Sequence, residues 1–156
     1  MNIDTKELSQ FLVKAKVNTY ASDPKATILR DGTKELVFSE GRLFYRDRYL
    51  GESSFIGQEL VFHQDEHLWG MNYYGYAIPS KDFSLRNLYT FLRKALKRVD
   101  VKKPFRGPEK YEERFFKYAN SVDGDVSQFN GAETIFYKGV EVYRLLYHGG
   151  FISDET

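Results

Sequence analysis

Glu59 and Glu133 each close the same short pattern, Phe-x-Gly-x-Glu, 74 positions apart. Two carboxylates brought together can bind a cation, or one can keep its proton to higher pH. His148, in Tyr147-His148-Gly149-Gly150, is the residue type best suited to proton transfer near neutrality, and it stands at a strand end beside two glycines. Arg106, held in the rigid run Phe105-Arg106-Gly107-Pro108, presents a forked guanidinium that could clamp a carboxylate or a phosphate. Asn72 and Tyr74 add an amide and a phenol close to Gly70, where a ligand could approach the backbone. Trp69, the single tryptophan, would line an aromatic pocket. These seven side chains are the candidate ligand-binding set.

Each also has an ordinary structural role open to it. Glu59 and Asn72 could share a cross-strand hydrogen bond, and Glu133 could pair with Arg144. Arg106 could sit on the surface of a connection, and His148 could be exposed. His63 and His67 have a metal-ligand spacing only on a helix, and across a tight turn they point apart, so no metal is expected. No catalytic residue and no cofactor can be assigned, because G-x-S-x-G, P-loop and dinucleotide fingerprints are all absent.

The pattern around the glutamates extends further. Phe55, Gly57, Glu59, Phe62, Tyr73 and Gly75 return without a gap as Phe129, Gly131, Glu133, Phe136, Tyr147 and Gly149. A period near half the chain length suggests an internal duplication of an α-plus-β-hairpin unit, with halves at 1–80 and 81–156 of a single domain. Like halves create a seam, and seams are where ligands tend to bind.

The elements that must position these residues follow from periodicity. Asp4 with Glu7 reads as a capped helix start, Ile3 and Leu8 as its staple, and Leu8, Phe11, Leu12 and Ala15 as its apolar face. That helix fades by Thr19, ahead of a loop at Ser22-Asp23-Pro24. Residues 36–39 and 42–46 read as a hairpin turning at Glu40-Gly41. Gly57 to Gln64 and His67 to Tyr76 read as a second, turning at Asp65-Glu66. Ser84 caps the clearest helix, in which Leu85, Leu88, Tyr89, Leu92, Ala95, Leu96 and Val99 repeat at three- and four-residue intervals. Pro104 and Pro108 prevent its continuation. Residues 109–113 fit one helical turn, 114–122 a strand, Asp123-Gly124-Asp125 a turn, and Glu133 to Tyr147 a third hairpin around Lys138-Gly139. The fold class expected is α+β: an antiparallel, strongly twisted sheet of hairpins with two main helices packed on one face.

With a turn at Asp65-Glu66, Phe62 pairs with Trp69, Leu60 with Met71 and Gln58 with Tyr73, giving one apolar face. Glu59 then opposes Asn72 on the other face, with Tyr74 beyond.

Composition narrows the classes. The chain has 156 residues, 42% hydrophobic and 29% charged, as expected of a soluble globular protein with its own core. Its 13 Phe and 12 Tyr favour strands and large buried surfaces. A net charge of +1 gives no global field toward nucleic acid or membrane. The basic run from Arg93 through Lys103 to Arg106 falls near a helix end, where cations are favoured anyway, so nucleic-acid binding is disfavoured. The absence of cysteine excludes disulfides and thiolate chemistry and fits a cytoplasmic location. Neither a secretory leader nor a membrane-spanning stretch is legible.

Taken together, Phe55-Ile-Gly-Gln-Glu59, Trp69-Gly-Met-Asn-Tyr-Tyr-Gly75, Phe105-Arg-Gly-Pro108, Gly124-Asp125, Phe129-x-Gly131-x-Glu133 and Tyr147-His-Gly-Gly150 resemble an uncharacterised prokaryotic domain family of unknown function. The resemblance spans about residues 20 to 152. Members of that family occur alone or attached to helix-turn-helix regulators, which is how small-molecule sensor domains are used. The resemblance implies no activity and no catalytic residue.

Three functions compete. The first is a small-molecule-binding or sensory domain with an aromatic-lined pocket. The second is an enzyme using His148 with a glutamate for acid–base chemistry, and the third is a protein-interaction or homodimeric module. Convergence of Glu59, Asn72, Arg106 and His148 on one cavity would separate them.

Overall fold

The computed structural model describes residues 3–22 and 25–154; Asp23 and Pro24 of the expected loop lie outside the described residues. Helix α1 spans Thr5–Asn18, and its Asp4 cap accepts a hydrogen bond from the Lys6 backbone N–H at 3.0 Å. A single 3-10 turn, Tyr20–Ser22, follows. Five strands come next: β1 Thr27–Ile28, β2 Lys34–Glu40, β3 Leu43–Gly51, β4 Ser54–His63 and β5 Glu66–Ala77. Helix α2, Leu85–Leu96, begins with a full capping box, in which Ser84 and Asn87 each accept the other's backbone N–H at 3.1 Å. Four more strands complete the chain: β6 Lys110–Glu113, β7 Phe116–Asp125, β8 Gln128–Tyr137 and β9 Val140–Phe151.

All nine strands join one antiparallel sheet in the order β1-β2-β3-β4-β5-β9-β8-β7-β6. Two meanders thus meet at their last strands, β5 against β9. This is a mainly-β architecture with two helices, which corrects the expected balance of α and β. Residues 110–113 are strand rather than a helical turn: they pair with β7 and set Tyr111 opposite Tyr118. Strand β7 likewise continues through Gly124 to Asp125, so the turn falls at Val126-Ser127.

The hairpin β4–β5 reappears as β8–β9 with every bound moved by 74 positions, Ser54 to Gln128 and Ala77 to Phe151. Register slips at matching places, between Val61 and Phe62 and between Ile135 and Phe136. Both turns take two residues with positive φ, Gln64 (50°) and Asp65 (70°), then Lys138 (48°) and Gly139 (83°). That is the primed turn whose twist suits a hairpin.

The first turn therefore lies one residue earlier than expected, which moves each pairing by two, and the bulge gives one of these back, so the net shift is one residue. Because side chains alternate with a period of two, this odd shift reverses faces. Glu59 opposes Met71, not Asn72; Val61 opposes Trp69; Gly57 opposes Tyr73. In the second hairpin Glu133 opposes Leu145, not Arg144.

The face bearing these residues is buried, with Tyr45, Val61, Trp69, Ile135, Tyr143 and Leu145 fully covered. They share one hydrophobic cluster with Leu8, Phe11, Leu12 and Ala15 of α1 and Leu88, Phe91, Leu92 and Ala95 of α2. Phe11 packs on Phe38 and Phe91 stacks on Phe116. The opposite face is solvated, leaving Ile56, Tyr74 and Leu146 at least half exposed. The repeated glycines make room for rings. A Cβ on Gly57 would collide with the Tyr73 ring directly opposite, and one on Gly131 with Tyr147.

Candidate functional site

The buried face carries charges, which need partners to survive there. Glu133 has them in full. Arg106 grips it with two bonds, Nε to Oε2 at 3.1 Å and Nη2 to Oε1 at 2.9 Å. Tyr118 donates to Oε2 at 2.6 Å and Tyr143 to Oε1 at 2.8 Å. Burial opposes the charge on Arg106, but the Glu133 carboxylate, together with Tyr20 and Tyr143, outweighs it and holds the guanidinium well above its usual value. The loop presenting Arg106 is itself tied down: the Gly107 N–H donates to Tyr118 Oη at 2.9 Å, and Asn120 Nδ2 donates to the Gly107 carbonyl at 3.0 Å. Tyr147 completes the set with a 2.8 Å bond to Asn120 Oδ1.

The matched positions around Glu59 are differently filled. Tyr45 and Asp47 of β3 stand opposite Val61 and Glu59, as Tyr118 and Asn120 of β7 stand opposite Ile135 and Glu133. Tyr73 donates to Asp47 Oδ1 at 2.7 Å, the counterpart of the Tyr147–Asn120 bond. Lys16, fully buried on α1, donates to Glu59 Oε2. Burial lowers the Lys16 pKa, a trend Glu59 partly opposes. Among the described residues Glu59 Oε1 has no hydrogen-bond partner, nor do the buried hydroxyls of Tyr45 and Tyr20. The Tyr20 ring lies between the two cations, 5.6 Å from Lys16 Nζ and 5.0 Å from Arg106 Cζ.

Beside this cluster a cavity of about 470 Å³ opens between the sheet and α2. Its floor is Asp47, Tyr73, Arg106 and Tyr20; its walls include Tyr49, Phe55 and Tyr89. Burial, reinforced by the nearby Glu59 charge, raises the Asp47 pKa to about 7, although the Tyr73 bond pulls the other way. A carboxyl poised there can accept or donate a proton, or switch between donor and acceptor toward a bound molecule. Among the described residues no group of three or more His, Asp or Glu is placed to hold a metal ion.

The seven residues singled out from the sequence divide between the two faces. Glu59, Trp69, Arg106 and Glu133 are buried together on the inner one, with Trp69 donating to the Val126 carbonyl at 2.9 Å and stacking on Phe129. Of these four, only Arg106 lines the cavity. Asn72, Tyr74 and His148 are exposed on the outer face. Asn72 accepts from Gln58 at 3.0 Å and pairs across the sheet with His148, while Tyr74 contacts Tyr76. His148 thus cannot act with either glutamate, and the expected single site of Glu59, Asn72, Arg106 and His148 does not form. Glu133 takes Arg106 as its ion-pair partner, and Arg144 pairs instead with Glu141 at 2.6 Å. Part of the basic run is occupied internally: Lys94 pairs with Glu113 at 2.5 Å and Arg98 covers the Tyr111 ring.

Sequence reasoning missed Lys16, Tyr20, Tyr45 and Asp47. Two of them left a signal. Lys16 is four residues after Leu12, on the apolar face of α1, where a charge must be paired. Asp47 continues the inward alternation of Leu43 and Tyr45.

No curated protein and no solved structure matches the chain. A family model does match, over residues 47–152, a span that holds Asp47, Glu59, Arg106 and Glu133 and leaves out α1 with Lys16. On that match the chain belongs to the family described as a domain of unknown function, DUF5680.

Proposed function

We propose that this protein is a small-molecule-binding domain made by internal duplication, with its two helices laid over one sheet face. In this reading the network around Glu133 serves as a rigid support, and the ligand lies between the Glu59 side of the sheet and α2. One observation carries it: Glu59 Oε1 and the Tyr20 and Tyr45 hydroxyls are buried without partners among the described residues, beside a cavity that has Tyr20 in its lining. Unpaired buried polar groups are costly, and they are tolerated chiefly where function needs them. The cavity volume falls in the usual range for small-molecule pockets, roughly 300–1,000 Å³, and its aromatic walls suit a flat ligand.

A thermal-shift screen of metabolites tests this. A true ligand at about 100 times its Kd stabilises by about 2.7 kcal/mol, several degrees in Tm. That shift should shrink in Tyr73→Phe, which strips Asp47 of its hydroxyl partner, and persist in His148→Ala on the outer face. A screen with no hits, or a shift abolished equally by His148→Ala, overturns the reading.

A second reading has one observation in its favour. Asp47, with a pKa near neutrality and a phenol bonded to it inside a cavity, has the attributes of a proton-transfer group. An enzyme built on this fold would use Asp47 where the sequence pointed to His148.

A further inference from the structure

The charges around the cavity are unevenly distributed, and that asymmetry bears on what it binds. At the inner end sits the Asp47 carboxyl, 2% exposed, with Oδ1 already accepting from Tyr73. Glu59, directly opposite Asp47 on β4, adds a second carboxylate whose Oε1 is unpartnered. Of the two, Asp47 lines the cavity and can accept from a donor there, while Glu59 lies behind it. Arg106, the cation on the floor, is already committed to Glu133 by two bonds. The outer end is cationic. Lys34, Arg86 and Arg93 all line it, against the single carboxylate of Glu52. Glu52 lies 3.4 Å from Lys34, a long pair whose carboxylate is mostly solvated. Arg86 is exposed and makes no ion pair among the described residues. Tyr49, Phe55 and Tyr89 stand between the two ends, and Tyr89 is anchored by its hydroxyl to the Glu52 carbonyl.

We infer that the ligand is an aromatic acid that enters ring first. Its N–H or O–H donor meets the Asp47 carboxyl at the inner end, its ring lies among Tyr49, Phe55 and Tyr89, and its anionic group stays at the Lys34–Arg86 mouth. This rests on the small-molecule reading above and gives it a polarity. A cationic ligand in the same orientation would meet like charge at the entrance. A ligand lacking a donor would leave the inner Asp47 carboxyl unsatisfied, a larger penalty than the loss of a favourable contact.

Four matched probes resolve polarity from occupancy: indole-3-propionate, its neutral amide, its N-methylated analogue and tryptamine. Isothermal titration at low salt, backed by ligand-observed NMR at millimolar probe, should rank indole-3-propionate first. The amide should be weaker by about tenfold, corresponding to one charge-assisted contact, the N-methyl compound weaker by at least as much, and tryptamine weakest. Arg86→Gln should remove most of the advantage of the acid over the amide and leave the amide unchanged. Tryptamine or the amide binding as well as the acid overturns the inferred polarity while leaving the pocket intact. Silence from all four probes overturns this inference, and silence from the metabolite screen as well overturns the pocket with it.

Discussion

Glu59 and Glu133 occupy equivalent points of two equivalent hairpins, each opposite the same kinds of neighbours, yet they are served differently. Glu133 accepts four hydrogen bonds from Arg106, Tyr118 and Tyr143. Glu59 has the Lys16 ammonium on one oxygen and nothing on the other. Tyr118 bonds both Glu133 and the Gly107 N–H, whereas Tyr45 at the matching place bonds nothing. Asn120 is neutral where Asp47 is titratable. A scaffold able to satisfy a buried carboxylate completely on one side has not done so on the other, and the incomplete side is the one next to the cavity. Such a contrast within a single sheet separates support from site better than either region would alone.

The largest effect should come from breaking the saturated side. Glu133→Gln leaves the buried Arg106 guanidinium without its counter-ion, and removing one partner of a buried pair costs about 3–5 kcal/mol. The corresponding Glu59→Gln should cost less, because Lys16, its pKa already lowered by burial, can shed its proton. Urea unfolding of both variants at pH 7 measures the gap. Equal losses would mean that the two carboxylates are held alike, and the contrast would collapse.

Next in size is the Asp47→Asn exchange, which copies Asn120 into the open side. The folded-state pKa of Asp47, about 7, lies above its ordinary value of 3.8. The native state therefore holds this proton between about pH 4 and pH 7, where the unfolded chain has released it. Wild-type stability from this group is fully present below the unfolded pKa and is lost as pH rises through about 7. Asparagine still accepts from Tyr73 and has no charge to bury. The variant should thus be more stable than wild type at pH 8, on the order of 2–4 kcal/mol, with the advantage fading toward pH 4. Unfolding curves across that range decide the matter, and a difference independent of pH would show that Asp47 does not titrate as described.

Much of this arrangement was legible in the chain, and what was not has physical causes. The spacing of Phe55, Gly57, Glu59, Tyr73 and Gly75 marked both hairpins, because Tyr73 needs a bare glycine beneath its ring and Phe55 another. Both helices were visible from their caps and apolar faces. The face of Glu59 was not. Asp65-Glu66 looks as good a turn as Gln64-Asp65, and a bulge leaves no mark in composition, yet its single extra residue sends every side chain beyond it to the other side. Asp47 was hidden for a related reason. Its counterpart Asn120 lies 73 positions on rather than 74, because β7 contains one more residue before the turn than β3, so an ungapped comparison sets Asp47 against Ser121. Lys16 and Arg106 could be read individually, but their partners depend on how loops return to the sheet, which local pattern does not encode.

The finest test uses the two tyrosines. Tyr118→Phe removes a hydroxyl that serves a carboxylate and a backbone N–H, leaving both short of a partner inside the protein. A loss of about 1.5–3 kcal/mol is expected, the range for hydrogen bonds to charged groups. Tyr45→Phe removes a buried hydroxyl with no partner, so its desolvation cost vanishes with it and stability should stay level or rise, within about 1 kcal/mol. Tyr20→Phe, which removes the unpartnered hydroxyl in the cavity lining, should bind the preferred aromatic acid more weakly if that hydroxyl is held in reserve for the ligand. Thermal melts of the variants with and without the acid give these numbers. If Tyr45→Phe costs as much stability as Tyr118→Phe in the absence of ligand, its hydroxyl already has a partner in the folded protein, and the open side is no more open than the closed one.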